Sequence, residues 1–214
     1  MLLNTTINKP YGDKEHGLPL VLSYLGNISI GRYNSIISIG KVINDNNLPI
    51  VFNVYSGEYR QRILKQIANK PGFNYYGKVD YDQVKTIMES SDLLLHVEDF
   101  QNKNIEFCRY SLSTKIADSL ISNRCLLCYG PKEIACIEYL KEEDCALIAT
   151  NLEELENALK SICNNPLEMN AIAQKAKSVA EKNHSVQANS ELIKQYLSEA
   201  INDEASKKHW KKSE

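Results

Sequence analysis

The sequence lacks the features that point to a membrane-spanning protein, a nucleic-acid binder or a secreted protein. Its 214 residues contain no apolar run approaching the ~20 residues that a membrane-spanning helix needs. The formal net charge is -2, so the composition does not indicate the excess of positive charge that nucleic-acid binding needs. The first residues lack the basic start and apolar core of a signal peptide. We therefore expect a cytoplasmic globular protein.

The six cysteines do not have the pattern of a disulfide framework. Cys125, Cys128, Cys136 and Cys145 fall in apolar segments that we expect to be buried. The spacing of Cys125 and Cys128 resembles a metal or redox motif, but residues three apart on a strand point to opposite faces. We therefore expect reduced thiols, with no metal and no redox chemistry.

Short apolar runs alternate with amphipathic segments of helical length. The predicted strands are Leu20–Tyr24, Ile50–Tyr55, Phe73–Tyr76, Leu93–Val97, Cys125–Tyr129 and Ala146–Ala149. The predicted helices between them are Tyr33–Asn44, Tyr59–Ala68, Tyr81–Glu89, Thr114–Ser122 and Lys132–Leu140. This alternation predicts an α/β fold, a Rossmann-like parallel sheet of about six strands with helices on both faces. Its ligand site is expected at the carboxyl ends of the strands.

The rest of the chain is predicted to be helical. Asn151 caps a predicted helix over Leu152–Ile162, with Glu154 placed to complete a capping box. Pro166 opens the next predicted helix. A further helix is predicted from about Ser185 to Ala200.

Two loops that follow strands have features of a binding site. In the first, Gly26 and Gly31 permit close backbone approach and Arg32 stands at a helix start, which together suit an anion. A flexible turn with a surface arginine explains this loop equally well. In the second, Gly77 leaves backbone open to a planar ligand, and an empty turn is the alternative.

The segment Glu98–Thr114 is a long connection for a compact α/β unit, and such segments are often functional. Ser113 is predicted to cap the following helix, whose free N–H groups, together with Lys115, would face an anion. Asp118 lies one turn further on, where a carboxylate is able to accept hydrogen bonds from a ribose diol. A solvated aspartate is the alternative there, and we interpret His96 as a structural residue.

Taken in order, these segments resemble the C-terminal domain of GT-B glycosyltransferases, in particular the retaining group known as family 4, or group 1. The resemblance is carried by Tyr24–Arg32, Phe73–Val79, Glu89–His96, Ser113–Leu120, Cys125–Pro131 and Asn183–Ser185. It implies a nucleotide-sugar (donor) binding domain at residues 19–200. Residues 1–18 are then a linker or interdomain segment, and residues 201–214 a polar tail.

The resemblance also implies residue roles. Arg32 falls where the family usually has a lysine that binds the donor diphosphate. Asp118 falls where the second glutamate of the Glu-x7-Glu motif holds the ribose. The other implied donor contacts are Gly26 in the first loop, Gly77 and Val79 at the base, and Ser113, Thr114 and Lys115 at the phosphate-binding helix start. No metal or other cofactor is implied, a UDP-sugar is the favoured donor, and the catalytic residues are not identified.

Two positions depart from the family pattern. Asn27 replaces the usual arginine beside the first-loop glycine, and Tyr110 stands where the first glutamate of Glu-x7-Glu would fall. Nearby carboxylates that we consider as substitutes are Glu98, Asp99 and Glu106.

The implied reaction moves a sugar from a nucleotide-diphosphate sugar to a glycan or lipid-linked acceptor, in cell-surface polysaccharide synthesis. The acceptor would be held by an N-terminal domain, and two domains of ~100–200 residues each exceed this chain. We therefore expect the chain to be inactive alone, and the full enzyme to associate peripherally with the inner face of the membrane. A non-catalytic nucleotide-binding module and half of a nucleotide-sugar epimerase are the alternatives. No nucleic-acid partner is expected.

Overall fold

A computed structural model describes residues 18–210, without the side chains of residue 188 and residues 202–210. Within this range the strands β1 to β6 are Leu20–Leu25, Ile50–Tyr55, Asn74–Gly77, Leu93–Val97, Cys125–Tyr129 and Leu147–Ala149. The helices α1 to α9 are Arg32–Asp45, Gln61–Ile67, Tyr81–Ser90, Asn102–Cys108, Thr114–Ile121, Ala135–Glu142, Leu152–Asn164, Glu168–Asn183 and Val186–Trp210. Apart from Leu18, the predicted segment 1–18 lies outside the described residues.

The six strands form one sheet in the order β3-β2-β1-β4-β5-β6, and every neighbouring pair is parallel. The predicted α/β fold is therefore confirmed. The order reverses between β1 and β4. The chain passes from β1 to β2 and β3 on one side, and then returns to β4, β5 and β6 on the other side. In open α/β sheets a crevice forms at this point, outside the carboxyl ends of the strands.

Alternating side chains of the strands enter two separate cores. On β5, Cys125 and Leu127 pack into the core covered by α1, α2, α7 and the first half of α8, whereas Leu126 and Cys128 pack into the core covered by α5, α6 and the second half of α8. All four are fully buried, and a buried leucine side chain contributes about 1.5–3 kcal/mol. The two thiols are free and lie on opposite faces, as the strand geometry predicts.

Helix α7 illustrates how the sequence caps the start of a helix and packs one face of it into the core. Asn151 Oδ1 accepts a hydrogen bond from the Glu154 backbone N–H at 2.9 Å, which confirms the predicted cap. The Glu154 carboxylate, however, accepts from the backbone and hydroxyl of Thr150, so the predicted capping box is displaced by one residue. Leu155 and Leu159 then recur on one face and are fully buried.

Several helices differ from the sequence prediction. Helix α6 begins at Ala135 rather than at Lys132, and helix α2 begins at Gln61 rather than at Tyr59. Helix α4 lies inside the segment predicted to be a loop, where Cys108 is buried and Ile105 packs against the same core. Helix α8 begins at Glu168, because the turn after Pro166 precedes the regular helix. Helix α9 continues to Trp210, beyond the predicted end at Ala200. None of the helices within residues 18–210 combines the length and apolar character needed to cross a membrane.

Candidate functional site

A cavity of about 410 Å³ opens at the switch point, at the carboxyl ends of β1, β2 and β4. This volume lies in the range of roughly 300–1,000 Å³ that is typical of small-molecule sites. Side chains from both sides of the sheet reversal meet in it. Its lining includes residues 23–26, 55–57, 78–79, 94–97 and 118–119, with Arg32, Tyr81, Val84, Met88, Ser113 and Lys115.

Most of the predicted donor-site residues lie at this cavity. The lining includes Gly26, Arg32, Val79, Ser113, Lys115 and Asp118. The two other predicted residues are not part of the lining. Gly77 ends β3 with a φ of +76°, which favours glycine, and its carbonyl accepts from Ser56 N at 2.7 Å. Thr114 is the first residue of α5 and is exposed. The structure thus gathers six of the eight predicted positions, and their roles stay predictions.

The loop after β1 is built to bring Arg32 to the cavity. Gly31 has a φ of +76°, and a Cβ there would lie 2.3 Å from Asp99 Cγ, so both conformation and space require glycine. Asn27, which departs from the family pattern, shapes the loop, because its Oδ1 accepts from Ser29 N at 2.7 Å. Arg32 then begins α1 beside the cavity.

Gly26 leaves room for Lys115. A Cβ at position 26 would lie 2.5 Å from Lys115 Nζ, so the amino group rests against the backbone of the first loop. Among residues 18–210, this amino group has no ion-pair or hydrogen-bond partner. Lys115 is exposed as a whole residue, but desolvation around its amino group lowers its pKa from the usual value, and the positive charge of Arg32 lowers it further. A bound anion would relieve both effects.

Arg32 is held by a carboxylate that comes from the end of β4. Arg32 Nε lies 3.0 Å from Glu98 Oε2, and Nη2 lies 3.0 Å from Oε1. Burial by itself would raise the pKa of Glu98, but hydrogen bonds from His96 and Arg32 outweigh it and hold the pKa below its usual value. Sequence reasoning placed Arg32 at the site but missed this partner, which is 66 positions away.

His96, Glu98 and Cys136 present ligand atoms within 4.8 Å of one another. His96 Nε2 lies 3.3 Å from Cys136 Sγ. This donor set does not fit a metal ion, because both Glu98 oxygens accept hydrogen bonds from Arg32. Burial raises the pKa of Cys136 to about 12, whereas a metal requires the thiolate. A metal here would also stand beside two cations, Arg32 and Lys115.

The start of α5 offers free backbone donors to the cavity. Ser113 occupies the cap position, and its carbonyl accepts from Ile116 N at 3.0 Å. The sequence predicted that the Ser113 hydroxyl would cap this helix, but the hydroxyl makes no capping hydrogen bond to it. The first N–H groups of α5 therefore stay available to an anion. Asp118, one turn along, lines the same cavity.

The opposite end of the cavity contains residues that sequence reasoning did not select. Tyr55 stacks on Tyr76 with ring centroids 5.1 Å apart and an interplanar angle of 16°. Lys78 passes close to Gly57, where an added Cβ would lie 3.6 Å from Lys78 Cγ. The sequence signal was present, since Lys78 separates the selected Gly77 and Val79.

The carboxylates considered as substitutes for the missing family glutamate do not line the cavity. Glu98 and Asp99 are each 3% exposed, and Asp99 accepts from Asn34 Nδ2 at 3.1 Å and Asn104 Nδ2 at 2.6 Å. Glu106 is exposed on α4. The buried carboxylates of Glu98 and Asp99 are therefore already paired with other side chains of the protein.

The strand order and the crevice at its reversal define a Rossmann-like α/β domain. A family model described as "Glycosyl transferase-like" matches residues 41–195, and the chain belongs to this family. The resemblance to group 1 GT-B glycosyltransferases is thereby confirmed. A search of curated protein sequences finds no match.

Solved structures share the fold. Anabaena Alr3699/HepE in complex with UDP-glucose has a TM-score of 0.64 at 15% identity, covering 84% of this chain and 49% of that chain. Sucrose-phosphate synthase from Thermosynechococcus elongatus has a TM-score of 0.65 at 10% identity, covering 87% and 47%.

A third structure is itself a separate domain. It is the C-terminal domain of a glycosyl transferase group 1 family protein (LpcC) from Francisella tularensis, with a TM-score of 0.58 at 11% identity, covering 86% of this chain and 95% of that chain. The chain thus spans about half the length of the longer structures and nearly all of this domain. At these identities the likeness shows the fold alone.

Proposed function

We propose that this chain is the donor-binding domain of a glycosyltransferase and that the cavity binds a nucleotide-diphosphate sugar. The observation that carries the proposal is the convergence of Arg32, Lys115 and the start of α5 on one cavity at the sheet reversal. Positive charge and free N–H groups together suit a diphosphate. A neutral ligand would leave the Lys115 amino group without a partner.

The cavity accommodates the donor in a defined order. The diphosphate lies against Arg32 and Lys115, and Asp118 accepts hydrogen bonds from the ribose hydroxyls. The base lies toward Lys78 and Val79, at the other end of the lining. The positive charge of Lys115 and the N–H groups of Arg32 together stabilise the negative charge that develops on the departing diphosphate during transfer. This arrangement supplies positive charge without a metal ion.

The donor that we favour is a UDP-sugar, since one protein of the same fold is described in complex with UDP-glucose. The acceptor is a glycan or lipid-linked molecule in cell-surface polysaccharide synthesis. We place the acceptor on a second domain, because the longer proteins of similar fold are about twice the length of this chain. The full enzyme acts in the cytoplasm, at the inner face of the membrane.

The test is a thermal-shift titration of the chain with UDP, GDP, CDP, ADP and NAD. A ligand at 100 times its dissociation constant adds about 2.7 kcal/mol, which corresponds to a shift of roughly 5–10 °C for a domain of this size. We expect a selective shift with one nucleoside diphosphate, UDP first. No shift with any of the five ligands would overturn the proposal.

A pair of matched variants locates the binding. Lys115→Ala should remove most of the shift, because it deletes the amino group that faces the cavity. Lys41→Ala removes the same charge from an exposed position on α1 outside the lining, and should leave the shift unchanged. Equal shifts in both variants would place the ligand elsewhere.

A further inference from the structure

Glu98 lies beneath the cavity rather than in it. It is 3% exposed and is not among the lining residues, so it is not placed to contact a ligand. Its two carboxylate oxygens nevertheless hold Arg32, which does line the cavity, and Oε1 lies 3.4 Å from His96 Nε2. Two cavity residues therefore share one buried carboxylate.

The backbone of Glu98 is itself fixed from three sides. Its carbonyl accepts from Ser35 Oγ at 2.6 Å, and its N–H donates to the Tyr129 carbonyl at 3.0 Å. Gly130 packs closely against it, since a Cβ there would lie 3.1 Å from Glu98 Cβ. The carboxylate thus stands on a rigid base formed by α1 and β5.

This rigid base determines which part of Arg32 reaches a ligand. Glu98 engages Nε and Nη2 of the guanidinium, and within residues 18–210 Nη1 has no partner. The planar group is therefore held in one orientation by two hydrogen bonds, with Nη1 left for a ligand. Because the pair is neutral, Arg32 contributes directed N–H groups, whereas Lys115 contributes net charge.

We propose that Glu98 is a positioning residue for the donor diphosphate and acts through Arg32. This inference rests on the proposed function, because it assumes that the cavity binds a nucleoside diphosphate. Glu98 then affects the affinity for the ligand although it does not contact the ligand. The effect is geometric, so it can be separated from the effect of charge.

The experiment is a double-mutant cycle in which every variant keeps its charge. Glu98→Asp shortens the carboxylate by one methylene, and Arg32→Lys removes the planar group. The dissociation constant of UDP is measured by calorimetry for the wild type, both single variants and the double variant, at one salt concentration. We expect each single variant to weaken UDP binding about tenfold. The double variant should bind UDP about as well as the single variant with the lower affinity, as for strongly coupled neighbours.

The outcomes separate the two proposals. If the wild type binds no nucleoside diphosphate, the proposed function fails and this inference with it. If the wild type binds UDP and Glu98→Asp binds equally well, this inference alone fails. It also fails if the effects of the two substitutions multiply, since Glu98 would then act independently of Arg32.

Two further measurements separate positioning from loss of fold. Combining Glu98→Asp with Lys115→Ala should give multiplying effects, because Lys115 does not depend on Glu98 for its position. If Glu98→Asp does not fold, Arg32→Lys with unchanged UDP affinity still overturns the inference. Melting temperatures of all variants show whether an affinity change exceeds a change in stability.

Discussion

Two arginine–glutamate pairs among the described residues have similar contacts and different positions in the fold. Arg32 and Glu98 meet through two hydrogen bonds of 3.0 Å. Arg60 and Glu58 meet through hydrogen bonds of 2.9 and 2.7 Å. The first pair joins residues 66 positions apart and ties α1 to the end of β4. The second joins residues two positions apart on the turn before α2, where the Arg60 side chain is half exposed and the Glu58 side chain is 2% exposed. Contact distance alone therefore does not indicate what an ion pair does.

The pKa values of the two carboxyl groups show the same difference. Hydrogen bonds from Arg60 have the largest effect on the pKa of Glu58 and lower it to about 2, against a smaller opposing effect of burial. The pKa of Glu98 is also lowered, although burial acts in the opposite direction. Exposed pairs contribute little to stability because water and salt screen them. A buried pair matters mainly because loss of one partner leaves the other charge uncompensated.

The largest effect on stability should follow from breaking the buried pair. Glu98→Ala leaves the Arg32 guanidinium without its carboxylate, and we expect the free energy of unfolding to fall by about 3 kcal/mol. Urea unfolding followed by circular dichroism measures this change. A loss below about 1 kcal/mol would show that solvent in the cavity compensates Arg32 as well as Glu98 does.

Replacing both members of the buried pair should separate stability from binding. In Arg32→Met/Glu98→Leu, no buried charge is left unpaired, so we expect stability within about 1–2 kcal/mol of the wild type. The affinity for UDP should nevertheless fall about tenfold or more, because the directed N–H groups are gone. Urea unfolding and calorimetry on the same sample check both statements. Retained affinity would remove Arg32 from the donor site.

Acid should reduce the contribution of each pair as the pH falls below the usual carboxyl pKa. The folded protein holds the pKa of Glu98 below the usual 4.5, so its contribution to stability is present above pH 4.5 and lost as pH falls through the lowered value. For Glu58 the loss extends from 4.5 to about 2. Stability differences between wild type and Glu98→Gln, measured at pH 7 and at successively lower pH, should shrink. A difference that grows on acidification would contradict this assignment.

The smallest effect should come from the local pair. Glu58→Gln leaves Arg60 without its carboxylate, but the Arg60 side chain is half exposed and water replaces the lost contact, so we expect the melting temperature at pH 7 to change by no more than about 1 °C. Differential scanning calorimetry in low and moderate salt is the measurement. A change as large as that in Glu98→Ala would remove the distinction between the two pairs.

The fold was largely predictable because its signal is local and repeated. Buried parallel strands appear as continuous apolar runs, and Ile50–Tyr55, Leu93–Val97 and Cys125–Tyr129 have the predicted boundaries. Helix α4 was missed because it is only seven residues long and polar on most of its surface. Its one useful signal was the spacing of Ile105 and Cys108, which both face the core.

The sequence predicted which loops form the candidate site, but it did not predict which side chains contact one another there. Topology brings the carboxyl ends of β1 and β4 together, so Arg32 and Lys115 could be placed at the same edge. Which carboxylate would meet Arg32 depends on side-chain direction, which a sequence pattern does not contain. For the same reason Gly77 was selected, although the structure places its neighbour Lys78 at the cavity.

The placement of Cys125 and Cys128 on opposite faces of β5 provides two separate reporters of local opening. Both thiols are fully inaccessible, so an alkylating reagent reaches either one only when its own helical layer moves away from the sheet. Cys125 reports the layer that includes α7, and Cys128 reports the layer that includes α6. Two thiols three residues apart on one strand can thus report the loosening of each face of the sheet, with α8 as the helix that both layers share.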